Sequence, residues 1–320
     1  MSTLATVDVR VFDIPMRVRF RGQERRQGVL FEGPCGWAEF SPFPDYDARA
    51  SSRWLAAALA TAEEGWPAPL RSSVPVNTTV PAVGPDQAHR MVARSGCRTA
   101  KVKVAEAGQT LVDDIARVEA VRDALGPGGA VRIDANAAWD LDTAVTALRE
   151  LSRFDLEYAE QPVRELAEMA QLRRRVPVRL AADESVRTAA DPLRIAGLEA
   201  ADIVVLKVQP LGGVRRCLEV AESCGLPVVV SSAVETSVGI AAGVALAAAL
   251  PDLPFACGLG TVSLLAGDVC GEPLLPVDGM LPVGPVSPDA ELVARFAADD
   301  ATAGGWHDRL AAAQAVLDDR

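Results

Sequence analysis

From residue 74 onward, short apolar runs rich in β-branched residues alternate with segments of helical period. The runs are VPVNTTV (74–80), TAKVKV (99–104), AVRIDAN (130–136), DLEYAEQ (155–161), VRLAADE (178–184), ADIVVLKV (201–208), PVVVSSAV (227–234) and LPFACGL (253–259). Between them lie amphipathic segments such as 110–126, 141–154, 191–200 and 213–225. Alternation of this kind predicts βα units around a parallel sheet, and eight units match an α/β fold of the closed (β/α)8-barrel type. An open doubly wound sheet is the rival, but the Gly-rich first turn it would carry is absent. Before residue 74 the rhythm differs. Residues 5–14 and 28–34 alternate like antiparallel strands, and 48–65 has one helical period. The basic stretch MRVRFRGQERRQ (16–27) predicts either a loop or a strand pair with an exposed tip, and WAEFSPFPDYD (37–47), with two prolines, reads as irregular chain. A Gly- and Pro-rich tail follows, with helical patterns at 289–297 and 307–319. The expected division is a small α+β cap (1–72), a barrel (73–262) and a C-terminal segment (263–320) that partly returns to the cap.

Composition narrows the function classes. With 320 residues and 49% hydrophobic content, the chain can bury a large core without staples. A net charge of -11 and no dense Lys/Arg run argue against nucleic-acid binding. The most apolar stretch, GIAAGVALAAAL (239–250), is too short to span a bilayer and suits a buried helix. Six cysteines without metal-type spacing read as reduced, mostly buried residues, and the N-terminus does not read as a signal peptide; the expected location is the cytoplasm. The sequence does not give an oligomeric state.

Strands of a parallel barrel are buried and should be apolar. Here they carry Lys101 and Lys103, Asp134 and Asn136, Glu160, Asp183 and Glu184, and Lys207 at or near their C-terminal ends, where barrel active sites lie. Any one of these could cap a helix or make an ion pair, but the set has no economical structural explanation. Asp134, Glu160 and Asp183 come from three consecutive strands, and neighbouring strands lie ~5 Å apart, so their carboxylates could share a hard cation, Mg2+ or Mn2+. Lys103 and Lys207 would face one another across the barrel, with a bound carboxylate between them. Removal of a proton next to a carboxylate needs such charge, and a lysine acts as the base once neighbouring cations lower its pKa.

The KxK at 101–103, DAN at 134–136, EQP at 160–162, DES at 183–185 and Lys207 resemble the muconate-lactonising branch of the enolase superfamily. So do IPMRVRFRG, RQGVLFEG and GWAEFSPFPDYD near the start, NTTVPA (77–82), LKVQPLGG (206–213), SSAVETSVG (231–239) and CGLGT (257–261). The resemblance implies syn dehydration of 2-succinyl-6-hydroxy-2,4-cyclohexadiene-1-carboxylate, a small dicarboxylate, to 2-succinylbenzoate in menaquinone synthesis. It implies Lys103 as base and then acid, Lys207 as a permanent cation, Lys101 as the helper of Lys103, and Mg2+ on Asp134, Glu160 and Asp183. The second carboxylate would be held by Ser231, Ser232, amides near Gly258 and Gly260, Asn77, or Arg19 and Arg21 of a closing loop lined by Phe20 and Phe43. Racemisation of an N-succinylamino acid or epimerisation of a dipeptide needs the same lysines and is the alternative. His89 and His307 fall outside the strand ends and are not expected to act as bases.

Overall fold

The computed structural model describes residues 8–187 and 194–319. Residues 5–7 of the first expected strand and 191–193 of the expected helix at 191–200 lie outside them. The chain opens with a three-stranded antiparallel sheet, β1 (Val9–Phe20), β2 (Gln23–Gly33) and β3 (Gly36–Phe40), in that order. The basic stretch is thus a strand pair, turning at Arg21–Gly22 with Phe20 opposite Gln23. The segment expected to be irregular contributes β3, because Ala38 and Phe40 pair with Phe31 and Val29 and bury one face. Helix Ala48–Glu64 starts where the Asp47 carboxylate accepts from Ala50 N at 2.7 Å. It lays Trp54, Leu55, Ala58 and Ala62 against Phe31 and Phe40.

Two short strands replace the expected strand at 74–80. β4 (Ser73–Pro75) pairs antiparallel with β12 (Met280–Pro282) of the tail, and β5 (Thr78–Val80) joins the main sheet. That sheet continues with β6 (Thr99–Lys103), β7 (Ala130–Asp134), β8 (Leu156–Glu160), β9 (Leu180–Ala182), β10 (Ile203–Leu206) and β11 (Val228–Val230). All pairings are parallel, and the seven strands stand in sequence order from β5 to β11. The regular ladder is therefore an open parallel sheet, not eight strands. The expected run at 253–259 forms only single bridges, Val76 with Cys257 and Ser231 with Gly258. Pro254 lacks an N–H and the glycines at 258 and 260 favour no extended run, so each edge is met by one residue. Those contacts are tight: Cys257 N donates to Pro75 O at 2.7 Å and Gly258 N to Val230 O at 2.8 Å.

The tail returns to the first sheet. Asp13 N donates to Phe296 O, Ala298 N donates to Val11 O, and the helix Asp300–Asp318 buries Trp306, Leu310 and Ala313 in the cap core. The Ala-rich helix Ser237–Ala249 is almost entirely buried, and no described helix is long and apolar enough to cross a membrane. All six cysteines are free thiols, five of them buried.

Candidate active site

The C-terminal ends of the parallel strands carry the ionisable groups because register places them there. Lys103 stands beside Asp134, and Asp134 beside Glu160. Asp183 follows β9 directly and Lys207 follows β10. All of these, with Lys101, are less than 8% exposed. Burial of so many charges is tolerated only because they pair. Lys101 Nζ donates to Glu160 Oε2 at 2.9 Å and Oε1 at 3.0 Å, and lies 3.5 Å from Asp134 Oδ2. Lys103 Nζ donates to Asp134 Oδ2 and to Asn136 Oδ1, both at 2.5 Å, and Lys207 Nζ to Asp183 Oδ2 at 2.5 Å. Among the described residues no three His, Cys, Asp or Glu side chains are gathered as ligands around one point. This departs from the expected cluster: like charges repel, and each carboxylate leans to an ammonium group instead.

The environment separates these groups. Burial, then Lys101 and Arg21, hold Lys103 below the usual lysine pKa, despite the opposing pull of Asp134. Burial also pulls on Lys101, but Glu160 and Asp134 together outweigh it and keep its ammonium well above the ordinary range. Asp134 is held low because Lys103 and Lys101 overcome its burial. Glu160 is pushed up to about 7 by burial and by the neighbouring charges of Asp134 and Asp183. Three buried oxygen donors on adjoining strands, one of them crowded by the other two, fit a hard divalent cation in donor type and charge.

Lys101, Lys103, Asp134 and Lys207 line one cavity of about 20 Å³, so both lysines that the sequence placed in opposition open onto the same space. Phe20, Arg21 and Phe43 cover it from the cap, with Lys103 Nζ 5.1 Å from the Phe20 ring centre and the Arg21 guanidinium 5.0 Å from that of Phe43. Ser231, Ser232, Gly258 and Thr261 form the opposite wall. Gly258 stands there because an added Cβ would fall 2.4 Å from Ser231 Oγ. Ser232 and Thr261 share a hydroxyl hydrogen bond of 2.8 Å.

Other expected residues lie elsewhere. Arg19 is exposed and outside the cavity lining. Asn77 is fully buried, donates to Thr78 O and accepts from Arg132 at 3.2 Å. Gly260 packs against Asn77 O, where a Cβ would come within 2.7 Å. Glu160 and Asp183 are buried and are not among the lining residues, while Thr79, Ala233 and Val234, not singled out in the sequence, belong to the lining. His89 is 43% exposed at its side chain beside Asp123, away from the cavity.

Cap, parallel sheet and lysine–carboxylate cluster define one class of protein. The chain belongs to the enolase superfamily, in its muconate-lactonising branch: residues 85–289 match the family described as Enolase C-terminal domain-like, and residues 11–62 match Enolase N-terminal domain-like. It is 63% identical over 307 residues to the o-succinylbenzoate synthase of Thermobifida fusca (strain YX), covering 96% of each chain. The o-succinylbenzoate synthase of Mycolicibacterium smegmatis is 50% identical over 311 residues, with 97% of this chain and 96% of that one covered. Among solved structures, the muconate lactonizing enzyme of Pseudomonas fluorescens complexed with muconolactone superposes with a TM-score of 0.79 at 23% identity, covering 92% of this chain and 98% of that one. The L-Ala-D/L-Glu epimerase of Bacillus subtilis gives 0.76 at 22% identity, covering 88% and 96%.

Proposed function

We propose that this chain is an o-succinylbenzoate synthase, a hydro-lyase that dehydrates 2-succinyl-6-hydroxy-2,4-cyclohexadiene-1-carboxylate to 2-succinylbenzoate in menaquinone biosynthesis. The class of chemistry is carried by one observation, the convergence of Lys103 and Lys207 on a single covered cavity. The choice of substrate is supported by likeness to the curated synthases over nearly the whole of each chain. Asp134, Glu160 and Asp183 would hold a divalent cation, Mg2+ with Mn2+ as the substitute, which would supply positive charge at the substrate carboxylate. Lys103 Nζ, kept below its usual pKa by burial and by Lys101 and Arg21, takes the proton from the carbon next to that carboxylate. The resulting ammonium returns the proton to the departing hydroxyl on the same face, and water leaves. Lys207 stays protonated and faces the developing negative charge and the forming aromatic ring. Lys101 keeps its ammonium between Glu160 and Asp134 and so keeps Lys103 poised.

The second carboxylate of the substrate would meet Ser231, Ser232 and the backbone at Gly258, with Arg21 at the cap side of the same cavity. The contacts of residues 257 and 258 with both edges of the sheet support reading it as a closed barrel. The domain limits 1–72, 73–262 and 263–320, the cytoplasm as location and a small dicarboxylate as the substrate complete the proposal. The test sets an ultraviolet assay of the cyclohexadiene substrate beside a polarimetric assay of N-succinylamino acids. Rapid loss of the first substrate is expected; racemisation without dehydration would reverse the assignment in favour of a racemase or epimerase.

A further inference from the structure

A second buried polar cluster lies outside the lysine–carboxylate site, where the cap meets the barrel. Arg26 of β2 is 3% exposed, although it belongs to a stretch whose neighbours face solvent. Its Nε donates to Val234 O at 2.9 Å, its NH1 to Gln27 O at 3.0 Å, and its NH2 to Ser41 O and to Ser41 Oγ, the latter at 2.8 Å. The guanidinium also lies 4.9 Å from the Phe43 ring centre. Two buried carboxylates, Glu39 and Glu235, act on it, with Arg309 of the C-terminal helix as the opposing cation.

Two partners of Arg26, Val234 and Ser41, lead to the cavity. Val234 lines it and is held at a φ of 64°, a left-handed conformation that a β-branched residue rarely adopts. Such a residue keeps this geometry only where its surroundings over-determine it. Arg26 fixes its carbonyl, and Glu235 Oε2 accepts from the preceding Ala233 N at 2.6 Å. Ser41 leads to Lys207: Ser41 N donates to Gln209 Oε1 at 3.1 Å, and Gln209 Nε2 donates back to Ser41 Oγ at 3.3 Å and on to Glu235 Oε1 at 3.5 Å. Gln209 lies in the single helical turn Val208–Leu211 that directly follows Lys207. Glu39 anchors the whole at the N-terminus of helix Ser237–Ala249, accepting from Thr236 N at 3.0 Å, Thr236 Oγ1 at 2.5 Å and Gly239 N at 3.1 Å. A side chain at Gly239 would put its Cβ 2.6 Å from Glu235 Cβ, so the close approach requires glycine.

We infer that Arg26, braced by Glu39 and Glu235, is a positioning residue: it holds the Ala233–Val234 wall in its strained form and, through Ser41 and Gln209, sets the segment that carries Lys207. The cap thereby reaches the chemistry by hydrogen bonds in addition to the lid residues Phe20, Arg21 and Phe43. This inference rests on the roles given above to Lys103 and Lys207.

The experiment is a double-mutant cycle with Arg26→Met, Gln209→Leu and the double variant, with Arg26→Lys as the conservative control. Each is assayed on whichever of the two substrates the wild-type enzyme turns over, so a wrong substrate assignment is seen in the wild type and leaves the ratios readable. Melting temperatures are taken alongside, and kcat is expressed per folded protein well below melting. Small displacements of reacting groups cost up to roughly a hundredfold, so Arg26→Met should lower kcat at least tenfold while KM stays within about threefold. Arg26→Lys should recover part of that loss. The double variant should fall no more than about twofold below the worse single one, as expected for one path. Unchanged kcat per folded protein in Arg26→Met or in Gln209→Leu, or losses that multiply in the double variant, would overturn the inference. If Arg26→Met does not fold, Arg26→Lys and Gln209→Leu decide: both must lower kcat with KM nearly constant.

Discussion

Glu39 offers a quantitative check on how the buried cluster is charged. Its carboxyl is pushed from its ordinary 4.5 up to about 7, chiefly by burial, although Arg26 and the Ser41 and Thr236 hydroxyls favour the ionised form. A carboxyl raised in this way binds its proton more tightly in the folded state than in the unfolded one. Its proton-linked contribution to stability is therefore fully present below pH 4.5 and is lost as pH rises through about 7. At about 1.4 kcal/mol per pH unit, a displacement of this size is worth ~3 kcal/mol. Glu39→Gln removes the ionisation and keeps the shape. The stability of the wild type minus that of Glu39→Gln should then fall by ~3 kcal/mol between pH 4.5 and pH 8, while titrating groups not coupled to Glu39 cancel in the difference. Urea unfolding of both proteins at matched pH values measures this, followed by tryptophan fluorescence. A difference that stays constant within about 1 kcal/mol would show that the hydrogen bonds to Glu39 have restored its ordinary pKa, and would refute the reasoning.

Further outcomes test the site and the core. Lys103→Ala should lower kcat by roughly a thousandfold or more while calorimetric titration still shows Mg2+ binding; retained turnover would remove Lys103 as the base. Chelation should abolish turnover without changing the far-ultraviolet circular dichroism, and Mg2+ or Mn2+ should restore it. Leu148 is fully buried in the core of the parallel-sheet domain, so Leu148→Ala should cost about 2–5 kcal/mol in urea unfolding while KM is unchanged.

Much of the parallel sheet can be read from the sequence because each strand is a short β-branched run bounded by a helix. The ionisable residues are equally legible, since Lys103, Asp134, Glu160 and Lys207 interrupt or end runs that burial would otherwise keep apolar. What pattern does not reveal is long-range pairing. The run at 74–80 divides because β4 is claimed by β12, over two hundred residues away, while Val76 and Asn77 pair with Cys257. β3 is obscured by Pro42 and Pro44, which follow it closely. The buried cluster at Arg26 is hidden by its basic neighbours, although alternation offers a signal: Arg26, Gly28 and Leu30 share one strand face and all are buried. Glu39, flanked by Ala38 and Phe40, was the corresponding sign in β3. Lys101 and Glu160 show a different limit, because the sequence identified both but could not reveal that they bond to each other.

The wedge of chain from Phe296 to Asp318 completes a core that begins at Val9. During synthesis, the first strands and helix emerge long before Trp306 and Leu310, and their shared core stays incomplete while the parallel-sheet domain is made. Completion of the cap core is thus tied to translation of the helix Asp300–Asp318, and a ribosome that stalled before residue 300 would release a cap lacking Trp306, Leu310 and Ala313. Circular rearrangement that joins the final helix directly to the opening strands would remove this delay.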